Sequence, residues 1–228
     1  LMDRMALSSV EHLPGLPEFF TRLPQDAAAL LCEYQAETPQ ALEKLLQHGR
    51  LVCQSLPLLH EAIFTTTEKE RAFYWKIRKG LFPSVGAVRK RGTTVILEDI
   101  AVPVPHLAHA LLELKKLFTE FGYEQAIIFG HAKEGNIHFV ITQLLNEAKE
   151  VERYDRFMRK VVDLVLQKYD GALKAEHGTG RNMAPFVEAE WGGEAYAAMK
   201  AIKFAADPAG LLNPGVIIND DSEAHIRN

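Results

Sequence analysis

The run "QAIIFGHAKEGNIHFVITQ", residues 125–143, restricts the possible folds of this chain more than any other stretch. Two apolar segments flank a short polar one. They read as two strands joined at Glu134-Gly135, because glycine supplies the positive φ that a two-residue hairpin turn requires. Pairing centred on that turn sets His131 directly opposite His138. Cross-strand neighbours project from the same face with Cβ atoms ~4.5–5.5 Å apart, so two imidazoles placed this way suit one metal ion. Ile128, Ile137, Phe139 and Ile141 then fall on the other face and belong to a core.

The elements around this hairpin alternate in type. Residues 27–36, "AAALLCEYQA", read as a strand. Residues 38–49 read as a helix capped by Thr38 and stopped at Gly49. A second helix is expected over 65–81, ending near Gly80, and a buried strand "TVILEDIAVP" closes at Pro103. The stretch 106–122 carries Leu107, Leu111, Leu114, Phe118 and Phe121 on one helical stripe and stops at Gly122. After the hairpin, a helix over 147–169 turns Phe157, Val161, Leu164 and Val165 inward. A short strand-like "ALKAE", the glycine-rich "HGTGR", a helix over 193–206 and the coda "DPAGLLNPGVI" complete the order. Short strands beside helices predict an α+β fold with a mostly antiparallel sheet and a C-terminal helical segment. Residues 1–26 read as a linker or edge segment, 27–217 as the main domain and 218–228 as a polar tail.

With 228 residues, 47% of them hydrophobic, the chain can bury a substantial core. Its net charge of −4 provides no basic footprint for nucleic acid. The two cysteines, Cys32 and Cys53, have no CxxC spacing, so neither a disulfide scaffold nor a sulfur-ligated cluster is encoded. No run approaches the ~20 apolar residues of a membrane span. The expectation is a cytoplasmic protein, with association at a membrane surface as its limit. Both ends of the chain read as cuts in a longer protein.

The chemistry needs a third group besides the two histidines, and "AEHGTGR", residues 175–181, supplies it. Glu176 ends a strand-like stretch, and Gly178 and Gly180 let the backbone turn sharply after His177. Two imidazoles and a carboxylate make a site suited to zinc or manganese with a position open for substrate. His177 beside it is a general base, since an imidazole titrates near neutrality. On residues alone, a self-contained divalent-metal hydrolase using this set and a non-catalytic ferredoxin-like binding module both remain open.

Five ordered motifs go further: "WKIRKG", "EDIAVP", "GHAKEGNIH", "EHGTGR" and "DPAGLLNPG". Together they resemble the C-terminal half of the FAD-linked oxidases related to D-lactate dehydrogenase, glycolate oxidase and D-2-hydroxyglutarate dehydrogenase. Among these, the chain is most similar to the long bacterial type in which an iron–sulfur region follows. The resemblance implies a ferredoxin-like cap covering the flavin, whose own N-terminal FAD-binding domain is absent from this chain, so that the piece alone is inactive. It implies that His131, His138 and Glu176 hold the metal, that His177 removes the hydroxyl proton of a small 2-hydroxy acid, and that Arg78 pairs with its carboxylate. Asn136 and Asn213 are implied to lie near the flavin. Members acting on hydroxyglutarate place a lysine where this sequence has Leu97; the nearest cations here are Arg89, Lys90 and Arg91.

Overall fold

The structure, a computed structural model, describes residues 1–227, apart from the side chains of residues 82 and 84–88. The chain divides into two compact units, Leu1–Val88 and Arg89–Asn228.

In the first unit, β1 (Met2–Asp3) pairs antiparallel with β2 (Ala28–Ala29). Helix α1 (Arg4–Ser9) begins at Asp3, whose side chain accepts from the Ala6 N–H at 2.8 Å. Ala6, Leu7 and Val10 are fully buried. Residues 1–26 thus carry a strand, a helix and a 3-10 turn at Glu18–Arg22. The strand expected over 27–36 shrinks to the two residues of β2, because beyond Ala29 no partner strand among the described residues takes up its hydrogen bonds and Leu30 is left 63% exposed.

Helix α2 (Pro39–Gln54) starts at the expected Thr38 cap, which accepts from the Ala41 N–H at 3.2 Å. It runs through Gly49 instead of stopping there. The reason lies in packing: a Cβ at residue 49 would stand 2.9 Å from the Tyr34 hydroxyl, so glycine serves close approach here and not termination. Helix α3 (Glu68–Val88) likewise passes the expected stop at Gly80. Its N-terminus is braced by Thr67, whose hydroxyl donates to Glu70 at 2.7 Å.

The second unit contains β3 (Thr94–Ala101), α4 (Leu107–Glu120), β4 (Ile127–Phe129), β5 (Asn136–Gln143) and α5 (Ala148–Asp163). Strand β5 lies between the other two, antiparallel to both. The free side of β3 is covered by residues 172–175: Ala101 and Ala172 exchange N–H···O bonds of 2.9 Å each way, and the Ala175 N–H reaches the Asp99 carbonyl at 3.2 Å. This sequence of elements is the ferredoxin-like βαββαβ order, its last strand reduced to isolated bridges. The fold is α+β, as expected, and its second half is helical: α5 continues through a π turn at Leu164–Lys168, and α6 (Gly180–Met183), α7 (Val187–Trp191) and α8 (Gly193–Ala206) follow.

Strand alternation gives β3 and β5 two faces. Ile100, Ile128, Ile137, Phe139 and Ile141 form one, packed on the stripes of α4 (Leu114, Phe118) and α5 (Phe157, Val161). Phe157 meets the rings of Phe118, Phe121, Tyr123 and Phe139 at centroid distances of 4.7 to 6.0 Å. Fully buried, it would cost roughly 3–5 kcal/mol on truncation to alanine. The residues expected to be polar tail turn back onto this unit. His225 is buried with its Nε2 2.8 Å from Asp155 Oδ1, and Ile226 packs against the core.

The hairpin turn differs from the expected one. Phe129 faces His138 and Ile127 faces Val140, so the ladder is centred a residue earlier than a turn at Glu134-Gly135 would set it. Between the strands, Ala132–Glu134 form a 3-10 turn, and the His131 carbonyl accepts from the N–H groups of both Glu134 (2.9 Å) and Asn136 (3.2 Å). Gly135 closes it at φ 66°, and a Cβ there would lie 1.9 Å from the Val102 carbonyl oxygen. Gly135→Ala therefore meets both a left-handed backbone and an immovable neighbour. It is expected to destabilise the chain by about 2 kcal/mol or more in urea unfolding.

Candidate functional site

Position 138 falls on the second face of the sheet, where it is framed by Asp99 on β3 and Phe129 on β4. His138 is only 2% exposed. His131 hangs from the 3-10 turn just past the end of β4, so the shorter ladder does not place the two histidines directly opposite each other. The turn nonetheless carries His131 back over the sheet, and the two rings meet edge to face with centroids 5.5 Å apart. Glu176 comes in from the segment beside β3. Its Oε1 lies 2.8 Å from His138 Nε2 and 3.3 Å from His131 Nε2. His177 stacks on His138 at 4.8 Å and 22° between planes, with its Nε2 3.8 Å from the same Glu176 oxygen.

These four side chains were the ones expected to carry the chemistry, and the fold brings them together. His131, Glu176 and His177 are about half exposed, so the group forms an open rim around one buried imidazole. The ligand atoms of His131, His138 and Glu176 lie within 4.8 Å of one another, as do those of a second group, Asp99, His138 and His177. The first group is the better metal site. His131 and Glu176 are about half exposed, whereas both Asp99 oxygens are already engaged by hydrogen-bond donors. Two neutral imidazole nitrogens and a carboxylate oxygen fit a divalent zinc or manganese ion with positions left for other ligands.

Three further residues were expected to take part: Asn136, Asn213 and Arg78. Asn136 is buried, its Nδ2 donating to Asp99 Oδ1 at 2.5 Å and to the Ile100 carbonyl at 3.4 Å, while its Oδ1 accepts nothing. Asn213 is exposed in the coda after α8, at φ 44°, a turn conformation that asparagine tolerates. Arg78 belongs to α3 in the first unit, where it is half-buried.

Asp99 is the residue that reading the sequence for site chemistry passed over. It has no exposed surface, and its Oδ2 accepts the backbone N–H groups of Glu176 and His177, both at 2.7 Å. The signal was present in "TVILEDIAVP": two adjacent acids inside an apolar strand must point to opposite faces, and here both are buried. Glu98, on the core face, is bound by Lys174 at 2.7 Å and by Asn182, which also accepts from the Tyr154 hydroxyl at 2.8 Å.

Burial and hydrogen bonding push these groups apart in acidity. Desolvation lowers His138 to about 4, with the neighbouring His177 and His131 adding to it and Asp99 and Glu176 opposing. Burial alone would raise Asp99, but the N–H groups of Glu176 and His177 and the Asn136 amide hold its carboxyl below the ordinary range. Burial raises Glu98 despite Lys174.

Comparison with known proteins bears out the family resemblance. A sequence profile described as "FAD linked oxidases, C-terminal domain" matches residues 1–217. The chain belongs to that family. It is 26% identical over 204 residues to the glycolate oxidase subunit GlcD of Bacillus subtilis, covering 90% of this chain and 42% of that protein. It is 32% identical over 159 residues to the mitochondrial D-lactate dehydrogenase [cytochrome] of Arabidopsis thaliana, covering 68% and 27%. With the D-2-hydroxyglutarate dehydrogenase of Stutzerimonas stutzeri it shares 27% over 194 residues, covering 82% and 39%. The chain thus spans less than half the length of each of these relatives. Among the described residues, no helix is long and apolar enough to cross a membrane.

His138 makes the metal-free chain sensitive to acid in a defined window. Its folded pKa, about 4, lies below the ordinary value of 6.5, so between them the unfolded chain binds a proton that the folded one refuses. Stability is expected to be complete above about pH 6.5 and to decline as the pH falls toward about 4. In denaturant titrations with chelator present, His138→Gln should flatten that decline.

Proposed function

We propose that this chain is the substrate- and metal-binding cap of a flavin-dependent D-2-hydroxy-acid dehydrogenase. The observation that carries the reading is the convergence of His131 Nε2 and His138 Nε2 on Glu176 Oε1, at 3.3 and 2.8 Å, with His177 alongside. In a member of the FAD-linked oxidase family, such a set calls for a substrate with a hydroxyl to be deprotonated and a neighbouring carbon to be oxidised.

The overall change removes the hydroxyl proton and the Cα hydrogen with two electrons, leaving a 2-oxo acid. When bound, a zinc or manganese ion supplies Lewis-acid polarisation of the hydroxyl and the carboxylate, and FAD supplies the hydride acceptor. The chain's own part is to bind, orient and take the proton. His131, His138 and Glu176 would hold the ion, His138 being the buried member of the set. His177 receives the hydroxyl proton on Nε2, the nitrogen nearer the ligand carboxylate. Arg78 pairs with the substrate carboxylate, because a guanidinium offers two parallel donors to two oxygens. Asn136 and Asn213 keep their proposed place near the flavin. The FAD-binding domain is supplied by the longer protein, in keeping with the relatives' greater length.

A hydrolase built on the same residues would also use the ion and His177, but it gives no account of the membership in an FAD-linked family. The two separate in one experiment on the full-length, flavin-loaded protein. D-2-hydroxy acids are expected to bleach the flavin, and His177→Ala should lower turnover by about 10²–10⁴ with flavin and metal content unchanged. Turnover equal to the wild type would refute the base. Arg78→Lys, which keeps the charge and loses the paired donors, is expected to raise KM more than it lowers kcat.

A further inference from the structure

We propose that Asp99 is the positioning residue of the site. On this view one buried carboxylate sets both the loop that carries Glu176 and His177 and the ring orientation of His138. The inference rests on the metal reading above and extends it to a residue outside the ligand set.

The geometry separates the work of the two oxygens. Oδ2 takes the N–H groups of Glu176 and His177, each at 2.7 Å, so a ligand and the base are fixed by their backbones to a single point on β3. Oδ1 takes the Asn136 amide at 2.5 Å and faces His138 Nδ1 at 3.6 Å. That nitrogen is buried and makes no hydrogen bond among the described residues. A neutral imidazole carries one proton, and a ring that gives its Nε2 lone pair to a metal must carry the proton on Nδ1. Asp99 Oδ1 is the acceptor facing that proton, the arrangement by which a carboxylate behind a metal-binding histidine fixes its tautomer and raises its basicity. Asn136 holds Oδ1 from the side. Glu98 secures the same segment from the opposite face of β3 through Lys174 and Asn182, so residues 174–182 are fastened on both sides of the strand.

The two roles can be taken apart by substitution in the 228-residue chain. In Asp99→Asn the new amide oxygen can still accept from Glu176 and His177, but the new NH₂ group turns toward His138. A donor there favours the tautomer with the proton on Nε2, which cannot ligate. Asp99→Ala removes both functions. Zn²⁺ and Mn²⁺ affinities are measured separately by calorimetry, the His138 ring nitrogens by ¹⁵N NMR with and without Zn²⁺, and the Glu176 and His177 amides by hydrogen exchange without metal. Circular dichroism verifies the fold of each variant.

The expected result for Asp99→Asn is a 10- to 100-fold loss of metal affinity, with both amides still protected and His138 protonated on Nε2. For Asp99→Ala the amide protection is lost as well. Metal affinity in a folded Asp99→Asn chain equal to wild type, with Nδ1 still protonated in the Zn²⁺ complex, would overturn the role toward His138. Amides that exchange as fast in wild type as in Asp99→Ala would overturn the role toward the loop. Wild-type chain that binds neither cation would sink the metal reading and the His138 role resting on it, and the exchange data would then decide the loop role alone.

Discussion

A carboxylate without exposed surface stays charged only when its oxygens are met by donors, since an unpaired charge in a protein interior costs several kcal/mol. Asp99 meets that condition with donors from two separate stretches of the chain, the start of β5 and the loop after residue 175. The site therefore inherits its geometry from a hydrogen-bonding requirement. Wherever Asp99 is, the Glu176 and His177 backbones must come to it, and the Asn136 amide must close the other side. The strand supplies the rigidity, because β3 is paired to β5 along all eight residues. The Glu176 and His177 backbones, on an open loop, are thereby held by a sheet rather than by the loop itself.

Glu98, one residue away, shows how strongly face and partner decide the outcome. Both acids are buried, yet Asp99 is held below its ordinary pKa and Glu98 is raised above it. Asp99 receives two backbone N–H groups besides an amide, whereas Glu98 relies on one ammonium and one amide. Backbone donors are fixed in place and already paired with nothing else, so they stabilise the anion with little reorganisation. The ammonium of Lys174 must itself be desolvated to reach Glu98, which offsets much of its attraction.

The parts of this arrangement that were legible in the sequence are those governed by local periodicity and by short motifs. The 3.6-residue stripe of α4, the strand β5 and the glycine turn after His177 all formed as the pattern required. The set His131, His138, Glu176 and His177 was legible because the residue types and order restrict the chemistry. What was not legible depended on contacts between distant residues. Gly49 and Gly80 looked like helix stops, but nothing local reveals that Tyr34 needs the space beside residue 49. The hairpin register failed for a related reason. Gly135 does adopt the left-handed conformation, yet the close Val102 carbonyl and the 3-10 turn before it, not a two-residue turn, fix the ladder. Asp99 was hidden because a strand acid pairs with whatever segment lies beside the sheet edge, and that segment is more than seventy residues away.

The burial of His138 has a consequence for how the site could fill. An imidazole exposed to water near neutrality is partly protonated, and a cation must then displace a proton to bind. His138 is held neutral down to about pH 4 by its surroundings, so it puts no imidazolium charge against a cation across the physiological range. Its ring is also flanked, stacked on His177 at 4.8 Å and tilted against Phe129 at 5.2 Å. The other two residues of the proposed set, His131 and Glu176, are of the opposite kind, half exposed and carried outside the strands. On the proposed reading, one preset nitrogen and two adjustable groups would divide the binding cost, the buried residue being fixed and the rim side chains free to adjust. On that reading the half-exposed side of the set would be left open for a hydroxy acid.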